Sequence, residues 1–160
     1  MSNDTIKLRR YKNDLYVSGT GVIIMGAWSV IKALMEIILG PEDYFDMGDI
    51  EPDYRPYVLV ISVVFVLLFM LLILAVHLYI GMNAAKAARG MDHKKGYIAG
   101  SIILLILTLI SFTSYANDDP EDIDTTIASI LVDLTTIYIF AVVVISSFRI
   151  KKLEEQPAQE

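Results

Sequence analysis

Apolar residues gather into four long runs, at 15–39, 57–80, 97–115 and 127–148, with short polar stretches between them. Each run comes close to the roughly 20 residues that cross about 30 Å of hydrocarbon at about 1.5 Å per residue. The pattern predicts an all-α integral membrane protein: a single domain over residues 1–160, built as an antiparallel bundle of four transmembrane helices. Connections at 40–56, 81–96 and 116–126 are too short to let consecutive helices lie far apart. Gly40 and Pro41 close the first run, Pro56 precedes the second, and Gly81 and Gly96 bracket the middle loop, so backbone breakers fall between the runs. The middle loop opens on an Ala-rich stretch that favours helix and is expected to prolong the second helix by about two turns. Residues 153–160 read as a short solvated tail.

Charge orders these loops. Lys7, Arg9, Arg10 and Lys12 precede the first run; Lys86, Arg89, Lys94 and Lys95 lie between the second and third; Arg149, Lys151 and Lys152 follow the fourth. The other two loops hold Glu42, Asp43, Asp46, Asp49, Glu51 and Asp53, then Asp118, Asp119, Glu121, Asp122 and Asp124, against the lone cation Arg55. Cationic loops stay on the cytoplasmic side, so both termini and the middle loop are expected inside the plasma (inner) membrane and the acidic loops outside. Tyr11, Tyr16, Tyr57, Tyr79, Tyr97 and Tyr115 stand near the ends of the runs, where an amphipathic ring suits the headgroup zone. The first run is too long for a signal-peptide core, and no small-residue cleavage site follows it.

Composition agrees, with 55% hydrophobic residues and a mean hydropathy of +0.55, above the roughly 45–50% apolar share of soluble domains. The formal charge of −6 conceals a basic inside and an acidic outside. Cysteine is absent, which removes disulfides, thiolate metal sites and thiol relays.

At 100° per residue, Ser18, Gly19, Val22, Met25, Gly26, Ser29, Lys32, Ala33 and Glu36 share one face of the first helix, and Ile24, Ala27, Ile31, Leu34 and Ile38 share the opposite one. Small residues admit a neighbouring backbone, so the first face is expected against protein and the second against lipid. Polar stripes mark the fourth helix through Ser129, Asp133, Thr136, Phe140 and Ser147, and the third through Thr108 and Ser111. The second helix has almost no such stripe and is expected to show the most surface to lipid or to another copy.

Lys32, Glu36 and Asp133 are the charges inside the runs. Lys32 and Asp133 are each expected about 10–12 Å below the outer surface, with Glu36 about one turn nearer to it. A lone charge at such depth costs at least about 2.5–3.5 kcal/mol, which favours a Lys32–Asp133 pair between the first and fourth helices. The competing reading is a proton or cation site. One cation against two carboxylates favours the fixed pair, since the ammonium neutralises what a bound cation would need.

Other signals are weaker. Asp46, Asp49, Asp118 and Asp119 are weak candidate ligands for a divalent cation bridging the outer loops, since no EF-hand spacing is present and a solvated rim that reinforces orientation is the better explanation of them. Lys86, Arg89, Lys94 and Lys95 are candidates for anionic-lipid contact. His77 and His93 lack partners at ligand spacing, so neither haem nor another cofactor is expected, nor is a nucleic-acid partner. Protease, hydrolase and phosphate-cradling motifs are absent. Missing cysteines and short outer loops also exclude a tetraspanin-like or claudin-like arrangement.

The expected role is non-enzymatic: a scaffold or accessory subunit whose partners are the bilayer and either itself or a larger membrane protein, joined through the small and polar faces of helices 1, 3 and 4. A small proton- or cation-coupled transporter or channel using Lys32, Glu36 and Asp133 is the alternative. The orientation is directly testable because the chain has no cysteine. Single cysteines at Asp49 and Asp119 should react with an impermeant thiol reagent applied outside, and one at Lys94 should not; the reverse pattern would invert the topology.

Overall fold

The computed structural model describes residues 3–39, 51–114 and 123–155. Its elements are α1 (Asn3–Leu39), α2 (Arg55–Ala88), α3 (Gly96–Ser114) and α4 (Ile123–Glu155), with no strand among the described residues. All four helices are long and apolar enough to cross a membrane. The expected runs are therefore recovered, but α1, α2 and α4 are longer than their apolar segments. α1 begins in the basic segment before the first run, and α4 continues through Glu155, so the first residues of the expected tail are helical.

The breakers act differently from their sequence positions. Pro56 sits in the first turn of α2, where its missing N–H would have had no intrahelical acceptor. Gly81 lies inside α2. The helix ends instead at Gly90, with φ +70°. There Gly90 N–H donates to Ala87 O and Met91 N–H to Lys86 O, both at 3.0 Å. This is the Schellman arrangement, which satisfies the last carbonyls of a helix through a left-handed glycine. The Ala-rich segment thus extends α2 by the two turns expected of it.

Each helix packs beside its neighbours in sequence, and α4 closes the ring against α1. Along the α1/α2 seam the partners run in opposite directions: Tyr16 bonds Arg89, Gly19 lies against Ala84, and Gly26 against His77. The α1/α4 seam is likewise antiparallel, with Lys12 paired to Glu154 at 2.8 Å and Gly21 against Ile139. Across the ring, the His77 and Phe140 rings meet with centroids 5.9 Å apart.

Among the described residues, burial is confined to one half of this bundle, the half bearing the basic ends and the 89–95 turn. Leu15, Val22, Ile80, Ala84, Phe140 and Val143 are at most 1% exposed. No described side chain beyond Gly26, Met70, Ser101 and Phe140, toward the opposite end, is buried. Residue size accounts for the difference. Gly19, Gly26, Gly81, Ala84, Gly100, Ser101, Ser146 and Ser147 all belong to the basic half, whereas Val, Leu, Ile and Phe fill the far half of α2. Small residues let backbones approach, and dispersion contact over that distance replaces the hydrophobic drive that lipid does not supply.

The approach is closest at Gly26 and Gly81; at Gly81 a Cβ would lie 2.5 Å from the carbonyl oxygen of Gly19 and 2.5 Å from Ile23. Backbone cannot yield as a side chain can. Gly81→Leu should therefore lower stability by about 1–3 kcal/mol, a cost typical of overpacking. Thermal unfolding in detergent followed by circular dichroism would register it, with Val64→Leu on the exposed part of α2 leaving the midpoint unchanged.

Candidate functional site

Polar side chains cluster at two levels. At the basic end they form a network that begins with Asn83, one of the few buried polar residues. Its Nδ2 donates to Tyr79 O at 2.7 Å, one turn back on α2, and its Oδ1 accepts the Lys94 backbone N–H at 2.9 Å. The side chain thereby ties the turn after α2 to the helix it leaves. On the α1 side, Arg89 donates to the Tyr16 hydroxyl at 2.7 Å and lies 4.7 Å from that ring's centroid, combining a hydrogen bond with a cation–π contact. Between α3 and α4, the Tyr97 hydroxyl and Ser147 Oγ are 2.9 Å apart in buried surroundings. Ser147 also donates to Val143 O at 2.7 Å, which leaves Tyr97 to donate to Ser147.

The intramembrane charges predicted from sequence belong to the other level. Lys32 is exposed on α1 and Asp133 half-buried on α4, helices that are neighbours in the ring. The Gly21–Ile139 contact and the Lys12–Glu154 pair set a register that brings Asp133 within about two turns of Lys32 along the axis. The Glu36 side chain lies outside the described residues, as do Asp46, Asp49, Asp118 and Asp119. Among the described residues no three His, Asp or Glu side chains converge as a metal-binding group.

The small face of α1 divides along its length. Ser18, Gly19, Val22 and Gly26 are buried, as expected of a protein-facing side, but Ser29 is exposed and its Oγ donates to Met25 O at 3.0 Å. Ile24, Ile31 and Ile38 on the opposite face are exposed. Thr136 donates to Val132 O and Thr108 to Leu104 O, both at 2.8 Å and both within their own helices. Ser111 is exposed, and the Ser129 side chain is outside the described residues. The expected polar stripes therefore bond partly along their helices, where a hydroxyl reaches the carbonyl four residues back.

Of the four basic residues of the middle loop, Arg89 turns to Tyr16 while Lys86 and Lys94 border a cavity on the α2 side of the turn. Lys95 is exposed. The Asn83 clamp, the Tyr97–Ser147 bond and the Tyr16–Arg89 contact were not expected as contacts, although Ser147 lies on the predicted polar stripe of the fourth helix and Tyr16 and Tyr97 are among the tyrosines predicted near the ends of the runs. One signal was available: Asn83, with Lys86, interrupts an otherwise apolar and alanine-rich stretch between Ile80 and Ala88.

No family model, curated protein or solved structure matches the chain. The intramembrane pair can be tested by itself. Lys32→Ala and Asp133→Ala should each lower stability in detergent by more than the double replacement, because a single change strands a charge that the double removes. Additive losses in the cycle would separate the two side chains.

Proposed function

We propose that this chain is a non-enzymatic scaffold or accessory subunit of the plasma (inner) membrane, inserted with both termini cytoplasmic and assembling with itself or with a larger membrane protein. Packing of the basic half carries the reading. Leu15, Val22, Ile80, Phe140 and Val143 fill the middle of the bundle at that end and leave no exposed side chain among them. A carrier must open a path to each side in turn, and here the glycine-backed α1/α2 contact would have to part for such a path to form. The residues that would move are those held closest.

Assembly would use surfaces the bundle leaves uncovered. Part of the small face of α1 is taken by α2 of the same chain, through Gly19, Gly26 and Gly81. The apolar flank of α2, including Val60, Val64 and Leu71, remains exposed and suits lipid or a neighbouring helix. Loop charge supports the orientation, with cations at the ends that carry Lys12, Lys86 and Lys152 and acids at the other.

A second reading draws on the far half of the bundle. Among the described residues, buried side chains at one end and none at the other are also the form of an outward-open carrier, with Lys32 and Asp133 toward its mouth and Glu36 one turn beyond Lys32 in sequence. The two differ on whether a carboxylate exchanges a proton or cation during a cycle. Purified protein in liposomes should show no proton or sodium flux above empty vesicles across a pH gradient, and Glu36→Gln should leave assembly unchanged. Flux that vanishes in Glu36→Gln or Asp133→Asn would replace the scaffold with a transporter. A stoichiometric partner recovered in mild detergent and identified by mass spectrometry would support the scaffold.

A further inference from the structure

On the α2 side of the 89–95 turn lies a cavity of about 290 Å³ lined by Tyr79, Asn83, Lys86, Asp92, His93 and Lys94. We propose that it binds the phosphodiester headgroup of an anionic phospholipid, with Lys86 and Lys94 on the phosphate and Asp92 accepting a headgroup hydroxyl. Its size, at the low end of the roughly 300–1,000 Å³ of ligand pockets, suits a phosphate with a small polar substituent.

The cavity is held open by bonds already described. Asn83 fixes the Lys94 backbone, and the Schellman turn at Gly90 fixes where the segment from Met91 onward leaves α2. His93 is oriented by a 3.0 Å contact from Nδ1 to Met91 O and by its edge against the Tyr97 ring. Gly96 leaves space for the Tyr79 hydroxyl, since a Cβ there would lie 2.8 Å from that oxygen. The backbone that carries Lys94 and the ring of His93 are consequently placed before a ligand arrives, which reduces the ordering cost of binding.

Charge selects the ligand. Two ammonium groups against one carboxylate leave a single positive excess, which matches the monoanion of a phosphodiester better than the dianion of a phosphomonoester. Asp92 requires a donor, which a glycerol headgroup provides and a choline headgroup lacks. Phosphatidylglycerol combines both properties.

Position favours lipid over a soluble phosphate ester. Tyr79, Asn83 and Lys86 lie on one face of α2, and the same helical face continues as Leu72, Leu68 and Phe65, all exposed and apolar. A headgroup in the cavity would have its acyl chains beside that stripe. Identification of the ligand as lipid rests on the membrane insertion proposed above. The test below reads binding in micelles, so its outcome is separate from orientation, partner and transport.

Full-length protein purified in detergent is mixed with equal amounts of phosphatidylglycerol, phosphatidylethanolamine and phosphatidylcholine of matched chains, and the lipids retained are read by native mass spectrometry. Phosphatidylglycerol should be retained about fivefold over phosphatidylcholine, given about a factor of five for the one basic residue in excess of Asp92. Lys86→Gln with Lys94→Gln should abolish the preference, while Lys95→Gln, beside the cavity, should keep it. With phosphatidic acid added to the mixture, Asp92→Asn, which raises the positive excess to two, should shift preference from phosphatidylglycerol toward that lipid. The replaced side chains are exposed, and matching helicity by circular dichroism establishes that each variant is folded. Equal retention of the three lipids, or a preference that survives the double lysine change, would overturn the proposal. Thermal stabilisation by glycerol phosphate or inorganic phosphate without selective phosphatidylglycerol retention would also overturn it, reassigning the cavity to a soluble phosphate.

Discussion

The close approach of α1 to α2 is the constraint on which the rest of the bundle depends. Gly19 and Gly81 present backbone to backbone, and Gly26 receives His77, whose Cβ would stand 2.5 Å from any Cβ placed there. At that separation His77 reaches the Phe140 ring on α4. Its Nδ1 turns along its own helix to Ile73 O at 2.8 Å. A wider seam would withdraw His77 from Phe140 and loosen the contact that places α4. In a bilayer, lipid tails would solvate Leu and Val as well as a protein interior does, and the helices would gain from meeting chiefly where backbone contact is possible.

That dependence explains which parts of the fold were legible in the sequence. The four runs, their approximate limits and the added turns of α2 follow from hydropathy and helix propensity, which are properties of contiguous residues. The small face of α1 was also legible, because Ser18, Gly19, Val22 and Gly26 recur at helical spacing. Its loss of burial beyond Gly26 was not, since Ser29 and Lys32 continue the same face and only the partner's residue sizes decide where packing stops. Gly81 was read as a boundary on local grounds, while its use is set by Gly19, far away in the chain. Pro56 is a related case: the same residue marks a break before a helix or the first turn of one.

The polar residues divide similarly. Lys32 and Asp133 stand out in sequence because a charge within an apolar run is conspicuous, and the structure puts them on adjacent helices. Asn83, Tyr97 and Ser147 are marked in sequence only as a polar break, an interfacial ring and one member of a stripe, yet they make the bonds that shape the basic end. Hydropathy weighs a residue by its cost of burial and is silent about its bonding partners. An asparagine that clamps the turn before the next helix therefore looks like any loop residue.

The Lys12–Glu154 pair joins the first helix to the last, and the order of assembly follows from it. Contacts between α1 and α2 involve neighbouring segments, whereas closure of the ring awaits α4, which is synthesised after the other three. Contacts that close large loops carry more entropy cost and form later than local ones. The α1–α2 hairpin consequently exists before its flank toward α4 is covered, and Phe140 and Val143 arrive at a surface already shaped by Leu15, Val22 and His77. During that interval the uncovered flank is the part of the nascent chain most open to a chaperone or to another hairpin of the same kind.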